Sequence, residues 1–475
     1  MCGIIAGFGE DLSAGLAALI HRGPDAQATA QIGDISLGHT RLSIIDVSDR
    51  SNQPFQYGDT TIVFNGEIWN YRQLRSSLEL DGCRFRTESD TEVLAAVLNR
   101  YGPAALNRIE GMFAAAWTDR AGQVLRFARD SFGEVPLHFT EPSCEGLFGI
   151  GRFMLASEKK ALIAAGVRPE SIIMCPPGHY GSIRKGERAV DLRCFYFPKA
   201  EPSESRLTKS RAEAAPVVRK LIELGAEERT IADVPVCTLL SGGIDSAAVA
   251  LTLKRHFPNL VAYTAVHKAG SKDHQSARLM ARELGIELRE VEVPTPSVDD
   301  LSEVIRIIEM PYKAQVEIGW ACLVLARQMQ KDGFKVTFSG EGSDELWASY
   351  GFAYHALQTE DWHEYRRDLY ISQNFKNFAR CNKIFMAHSI ECRLPFLNRK
   401  LAEFALSLPR NVVQDGSARP KAVIQDAFSG ILPDVVTRRA KVAFQDGCGL
   451  KDAIAKAISN PRQRYLEIYR SLYGN

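Results

Sequence analysis

Short apolar runs broken by Gly, Asp, Asn and Pro fill the first part of the chain, which is the pattern of strands joined by turns. Strands are expected at 2–8, 35–45, 60–64, 114–119, 124–129 and 147–157, and helical periodicity at 71–80, 89–101 and around 106–109. Strands with a few helices and no regular alternation point to an α+β unit. The polar, turn-rich string Pro198-Lys199-Ala200-Glu201-Pro202-Ser203-Glu204-Ser205 reads as a linker, placed at 198–210 between units at 1–197 and 211–475. Beyond it the pattern changes. A helix at 213–224 leads to an apolar run at 234–240, a glycine turn and a helix at 245–257. A strand at 260–266, a helix at 276–284 and a strand at 287–293 follow. Such alternation describes an α/β unit with a parallel sheet covered by helices. One more strand is expected at 335–339, with helices after it.

Composition narrows the function classes. A length of 475 residues suits two or three domains. A net charge of +1 gives no basic surface for nucleic acid and no polybasic membrane patch, so neither partner is expected. No apolar run reaches transmembrane length, and the start lacks the pattern of a signal peptide. The ten cysteines show no CxxC pairs and no His partners at zinc spacing. They read as reduced thiols in a cytoplasmic protein.

Two loops carry candidate chemistry. Leu239-Leu240-Ser241-Gly242-Gly243-Ile244-Asp245-Ser246 lies at an expected strand-to-helix junction. Backbone N–H groups at a helix start bind anions, and glycines let a phosphate approach closely. Ser241 and Ser246 add hydroxyl donors, while Asp245 suits a magnesium ion on the phosphates or, more plainly, an N-cap. The string is neither GxxxxGK[ST] nor GxGxxG. Ser339-Gly340-Glu341-Gly342-Ser343-Asp344-Glu345 follows the last expected strand. Both loops should therefore lie at carboxyl ends of parallel strands, around one crevice. Three carboxylates there imply a divalent metal, the alternative being a solvated acidic turn. At the other end of the chain, Cys2 becomes the amino terminus if Met1 is trimmed, as is usual before a small residue. Its own α-amine, with a pKa of roughly 8, could then serve as the base for its thiol. Packing as a small apolar side chain is the plainer alternative.

The string at 241–246 resembles the pyrophosphate loop of the ATP pyrophosphatases, which form adenylates. Cys2 is followed by Arg22-Gly23-Pro24-Asp25, Arg41-Leu42-Ser43-Ile44-Ile45-Asp46, Phe64-Asn65-Gly66-Glu67-Ile68-Trp69-Asn70-Tyr71 and Thr87-Glu88-Ser89-Asp90-Thr91-Glu92. These resemble a class II glutamine amidotransferase. Together with 241–246, 339–345, the string from Arg380 to Leu397 and that from Arg439 to Gly447, the chain is similar to the glutamine-dependent asparagine synthetase family over residues 1–450. The resemblance implies an N-terminal-nucleophile (αββα) glutaminase domain followed by an ATP-pyrophosphatase domain. It implies that Cys2 attacks the glutamine amide and that Asn65 and Gly66 form the oxyanion hole. Arg41 would hold the glutamine carboxylate, and Glu67 and Asp90 its ammonium; outside such a set, Arg41 would read as a surface ion pair and Asp90 as an N-cap. ATP would contact Leu240, Ser241, Gly242, Gly243, Asp245, Ser246, Val266, Ser339 and Gly340, with Mg2+ on Asp245 and Asp344. Glu341 would stand near the acceptor, and Lys441 would neutralise the reacting phosphate. Arg393 reads as structural or interdomain, and His21 and His388 as core or capping residues. The implied reaction turns aspartate into asparagine through an acyl-adenylate, AMP and pyrophosphate leaving, with ammonia passing between the domains.

Some positions depart from the family pattern. Its Phe-Gly-Gly-Tyr after the acidic loop is Trp347-Ala348-Ser349-Tyr350 here, which sets bulk beside the expected acceptor pocket. Its RDRxGxKPLYY becomes the string from Arg129 to His138 and Phe139, losing an arginine, a lysine and a tyrosine where the domains usually meet. Asn398 replaces the aspartate of PFLD. The acceptor could thus be another carboxylate, a sugar acid or natural-product precursor. β-Lactam ring closure is disfavoured by the intact Cys2 and Asn65-Gly66, and a non-catalytic binding protein by the retained acidic residues. Homodimers are common in the family, though no residue pattern here points to one.

Overall fold

A computed structural model of the chain describes residues 1–141, 153–200, 210–356, 361–415, 419–438 and 449–474. Twelve strands build the first half: β1 (Gly3–Phe8), β2 (Ala26–Ile32), β3 (Ile35–Arg41), β4 (Phe55–Tyr57), β5 (Thr60–Ile68), β6 (Gly111–Thr118), β7 (Val124–Arg129), β8 (His138–Thr140), β9 (Met154–Ala156), β10 (Ile172–Met174), β11 (His179–Arg184) and β12 (Asp191–Cys194). They form two antiparallel sheets, ordered β10-β8-β9-β1-β3-β2 and β12-β11-β7-β6-β5-β4. The sheets face each other through β1, β3, β5 and β6. Helices α1 (Ser13–Ala17) and α4 (Lys159–Ala164) cover the first sheet, and α3 (Asp90–Tyr101) the second, with α2 (Tyr71–Leu80) packed on α3. This is the αββα layering expected. β5 and β3 are buried along their whole length, because each is flanked by a strand on both sides and faces the other across the sandwich.

The second half is a parallel sheet. β13 (Cys237–Leu239), β14 (Val261–Val266) and β15 (Glu287–Glu292) pair in that order. β16 (Val336–Phe338) pairs in parallel with β17 (Glu391–Arg393), and the parallel bridge between Val236 and Val336 sets β16 beside β13. α5 (Arg211–Glu227) precedes the sheet, opened by a capping box between Ser210 and Glu213. Helices α6 (Ile244–His256), α7 (Lys272–Leu284), α8 (Val298–Ile308) and α9 (Lys313–Lys331) join the strands.

Several expectations need correction. The strand expected at 60–64 runs on to Ile68, and the one at 35–45 stops at Arg41. Of the run at 147–157, residues 147–152 lie outside the described residues, and β9 spans Met154–Ala156. β17 was not expected: three residues in a mainly helical region carry no readable period. The domains meet without the lost basic residues, through cations from both sides: Arg129 donates to Asn374 Oδ1 at 3.1 Å. Arg399 Nε donates to Ser131 Oγ at 2.8 Å, and its Nη1 to the Asn107 carbonyl at 2.7 Å. Asn398 caps its helix and also donates to Glu228 at 2.7 Å, which an aspartate could not do. Arg393 lies over the Trp69 ring, 5.1 Å from its centroid, and is fully buried between the halves. His21 Nε2 lies 3.2 Å from Glu158, and His388 Nδ1 2.9 Å from Gln330.

Candidate active sites

The first site gathers around the start of β1. The Cys2 backbone N–H donates to Asn65 Oδ1 at 2.8 Å, and Asn65 Nδ2 reaches Ser157 Oγ at 3.3 Å. Ser157 also accepts the Ile4 N–H at 2.9 Å, so it fixes the Asn65 amide against β1. Nothing in the sequence pattern singled out Ser157. Gly66 has φ +147, and a Cβ there would stand 2.0 Å from the Met112 carbonyl oxygen; only glycine fits. Burial pushes the Cys2 thiol up in pKa, with the terminal ammonium opposing. A cavity beside the thiol is lined by Cys2, Arg41, Gly66, Glu67 and Asp90, with about 30 Å3 of room. That admits a water but not a glutamine.

Arg41, at the end of β3, donates to the Ser48 carbonyl and to Asn52 Oδ1, both at 2.7 Å, and to the Asp46 carbonyl. Glu67 follows on β5, and Asp90 opens α3. Ser89 supplies the cap of that helix, and the Asp90 carboxylate instead accepts the Ile68 N–H at 2.9 Å. Burial, against the Ile68 N–H but with the Glu391 charge, pushes Asp90 up to about 6. Burial and the charges of Glu391 and Asp90 hold Glu67 well above the usual carboxylate range. A ligand ammonium would favour both ionised forms. Below about pH 6 Asp90 takes up a proton and loses its attraction for a cation. The expected result is that KM for glutamine rises as pH falls through 6, with kcat changing less, measured as glutamate release between pH 5 and 8. A KM flat across that range would remove Asp90 from ammonium binding.

The second site is a cavity of about 530 Å3 at the carboxyl ends of the parallel strands. Leu240, Ser241, Asp245, Ser246, Ser339, Gly340, Glu341 and Asp344 all line it. The first loop is pre-shaped: Ser246 Oγ accepts the Ser241 N–H at 3.1 Å and donates to the Gly243 carbonyl at 3.1 Å. Gly242 turns the loop and Gly243 caps α6. A Cβ on Gly340 would lie 3.0 Å from the Ser246 nitrogen, so glycine lets the two loops touch. Val266 ends β14; the cavity reaches its neighbours Thr264 and Ala265 but is not lined by Val266 itself. Lys441 lies outside the described residues.

Sequence reasoning missed Lys421. Its Nζ stands 2.6 Å from Asp245 Oδ2, 2.5 Å from Asp344 Oδ1 and 3.2 Å from Ser343 Oγ. A cation thus already joins the two carboxylates expected to hold metal. Only spatial proximity reveals it, because Lys421 is 176 residues from Asp245. Glu341 pairs with Arg380, whose Nη1 donates to Gln315 at 3.1 Å. Glu345 is fully buried and bonded to Tyr350 and Asn377. It lies behind these two cavity-lining residues and does not itself line the cavity, which corrects the expectation that all three carboxylates of this loop stand beside the phosphates. Trp347 is likewise fully buried and does not line the cavity. The bulk expected beside the acceptor pocket is turned into the core, and Ser349 Oγ donates to Asp344 Oδ1 at 2.6 Å.

Among the described residues no helix is long and apolar enough to cross a membrane, and no cluster of three or more His, Cys, Asp or Glu side chains could hold a metal. Two carboxylates with substrate phosphates are nevertheless a usual magnesium arrangement.

Comparison with known proteins gives the family of each half. The family described as "Glutamine amidotransferase domain" matches residues 1–172, and that described as "Asparagine synthase" matches 217–380 and 358–471. Asparagine synthetase B [glutamine-hydrolyzing] of Escherichia coli (strain K12) is 28% identical over 93% of this chain and 80% of its own length. Asparagine synthetase [glutamine-hydrolyzing] 3 of Arabidopsis thaliana is 31% identical over 97% of this chain and 82% of its own. Asparagine synthetase [glutamine-hydrolyzing] 2 of Oryza sativa subsp. japonica is 30% identical, over 97% and 80%. With both halves matched and a relative of 31% identity covered over 82% of its length, the chain belongs to the glutamine-hydrolysing asparagine synthetase family.

Proposed function

We propose that the chain makes asparagine from aspartate, ATP and glutamine, releasing glutamate, AMP and pyrophosphate. The observation that carries this reading is the meeting of Asp245 and Asp344, from two separate loops, in one cavity with Glu341. Residues 1–197 act as the glutaminase unit and 211–475 as the synthetase unit, with 198–210 between them.

In the first unit Cys2, exposed as the terminus once Met1 is removed, attacks the glutamine amide carbon. Asn65 Nδ2 and the Gly66 N–H take the charge that develops on the oxygen. Arg41 exchanges its carbonyl partners for the glutamine carboxylate, and Glu67 and Asp90 take the ammonium. The space beside Cys2 must widen for this, and the segment from Leu42 to Gln53 that borders it is the one to move. In the second unit Ser241, Gly242, Gly243 and Ser246 hold ATP phosphates, and Thr264 and Ala265, just before Val266 on β14, border the same cavity. Asp245 and Asp344 would hold Mg2+, which supplies charge neutralisation of the leaving pyrophosphate. Lys421 shares that duty. Glu341 faces the acceptor, and Lys441 completes the phosphate side. Ammonia travels between the halves, enclosed so that it is not protonated and the adenylate is not hydrolysed.

Trp347, the bulkiest departure that favoured another acceptor, is buried away from the cavity, and Ser349 of the same string meets its wall only through Asp344. The test is pyrophosphate release with ATP, magnesium and ammonium, with and without L-aspartate, products identified by mass. Aspartate-dependent pyrophosphate matched by asparagine is expected. Glutamine hydrolysis with no response to aspartate would leave the reaction class and reject the acceptor.

A further inference from the structure

The amino terminus beside the glutaminase cavity is held by a residue of the other half. Glu391, on β17 of the second half, is fully buried, and its Oε2 lies 2.6 Å from the ammonium of Met1. Its Oε1 accepts from Arg393 Nε at 2.7 Å. Burial alone would lower the affinity of that ammonium for its proton, but the Glu391, Cys2 and Glu67 charges outweigh it. Burial would also raise Glu391, and the ammonium and Arg393 hold it below the usual carboxylate range. The same space is faced by Glu67, whose Oε2 has no hydrogen-bond partner among the described residues. Asp90, Glu134 and Arg41 stand around these groups.

Met1 also extends toward the second half. Asn382 Nδ2 lies 3.1 Å from its sulfur, and the residue is 1% exposed. Arg22 holds this corner, donating to the Cys2 carbonyl at 2.8 Å and to Asn382 Oδ1 at 3.0 Å. Loss of Met1 therefore leaves a buried space bordered by Cys2 on one side and Glu391 and Asn382 on the other. A nitrogen bearing several N–H groups already sits at its acidic wall.

We propose that Glu391 is the first binding station for the ammonia released at Cys2, a carboxylate lent by the synthetase half that accepts N–H hydrogen bonds in the place of the Met1 ammonium. This rests on the glutaminase reading above. In the release step the C–S bond of the thioester forms, the C–N bond breaks, and the thiol proton leaves on the nitrogen as NH3. An ionised carboxylate can only accept hydrogen bonds, and ammonia has three to give. The Arg393 partner balances its charge, so the station holds ammonia without requiring NH4+.

The strand carrying the station also reaches the nucleotide loop: the Ser339 N–H donates to the Arg393 carbonyl at 3.0 Å. The exit from the first site and the floor of the second thus belong to one short strand.

The test uses the full chain and needs no acceptor. Glutamate release from glutamine is measured without ATP, with ammonium chloride or with sodium chloride at equal ionic strength. In the wild type ammonium slows the release as a product. Glu391→Gln, which keeps an oxygen for Arg393, should weaken that inhibition about tenfold or more, the worth of one hydrogen bond to a charged acceptor. With ATP and acceptor present, amide formed per glutamate should fall several-fold while free ammonium rises. Should Glu391→Gln fail to fold, Glu391→Asp, which withdraws the charge without removing it, should shift both readings the same way. Equal ammonium inhibition in wild type and variant overturns the assignment. So does a shifted pH profile of glutamate release with unchanged inhibition, which would make Glu391 a positioning residue for the Cys2 amine. A wild type that releases no glutamate would instead overturn the glutaminase reading beneath it.

Discussion

Cys2→Ala should abolish glutamine hydrolysis, by a factor on the order of 10³ or more, as loss of a covalent nucleophile does. Amide formation from ammonium chloride should persist near the wild-type rate. The structure separates the two outcomes. Every residue lining the larger cavity lies at position 239 or beyond, so no group of the first half touches the adenylating site. Removing one buried sulfur whose nearest polar contact is the Leu42 carbonyl at 3.9 Å costs little stability. The Asn65 bond to the Cys2 nitrogen does not involve the side chain. The measurement is glutamate release in parallel with asparagine formation from each nitrogen source. Loss of both activities would mean that the sites do not work separately; persistent hydrolysis would mean that another nucleophile does the work.

How far the sequence foretold this arrangement depended on whether a signal was local. β7 and α2 fall at the expected positions because each is a continuous run with clear turn residues at both ends. β2, β4, β8, β10, β11 and β12 were not legible. They are three to seven residues long at or near sheet edges; β2 and β12 carry exposed polar residues in place of apolar alternation, and β4 and β10 are too short to show a period. The glycine loop at 241–246 was readable because phosphate binding needs glycines and hydroxyls contiguous in the chain. Lys421 and Glu391 were not, since their meaning lies in what faces them across the fold. Lys421 sits in a stretch with no other phosphate-binding signal, and Glu391 in a three-residue strand. Trp347 shows the converse error. A departure from a family string looked like a change in the acceptor pocket, but the side chain that carries it points into the core and meets the Arg366 guanidinium 6.0 Å from its ring centroid.

Asp245→Asn should reduce pyrophosphate formation by about 10²–10³-fold, the usual scale for one group that stabilises charge in a water-poor site, and leave glutamate release measurable. Asp245 does more than border the cavity. Its Oδ1 accepts from Ser343 Oγ at 2.6 Å and its Oδ2 from Lys421 at 2.6 Å, so it ties the second loop and the lysine to the first. The asparagine variant keeps the shape and the Ser343 bond through its carbonyl oxygen, but loses the charge. Its NH2 then replaces the oxygen that accepts from Lys421, so a fall in rate with ATP still bound would report on loss of the carboxylate, charge and Lys421 bond together. Lys421→Met makes the complementary change. Two carboxylates then face each other with no cation between them, and like charges that close repel. If Lys421 only spaces the carboxylates, excess magnesium should supply the missing cation and recover much of the rate. If Lys421 also reaches the phosphates, magnesium saturation leaves the rate low, because a metal held by Asp245 and Asp344 cannot occupy the lysine's place as well. Measuring pyrophosphate release against magnesium concentration in both variants separates these cases. An Asp245→Asn chain that forms pyrophosphate at the wild-type rate would remove this pair of loops from the adenylation step.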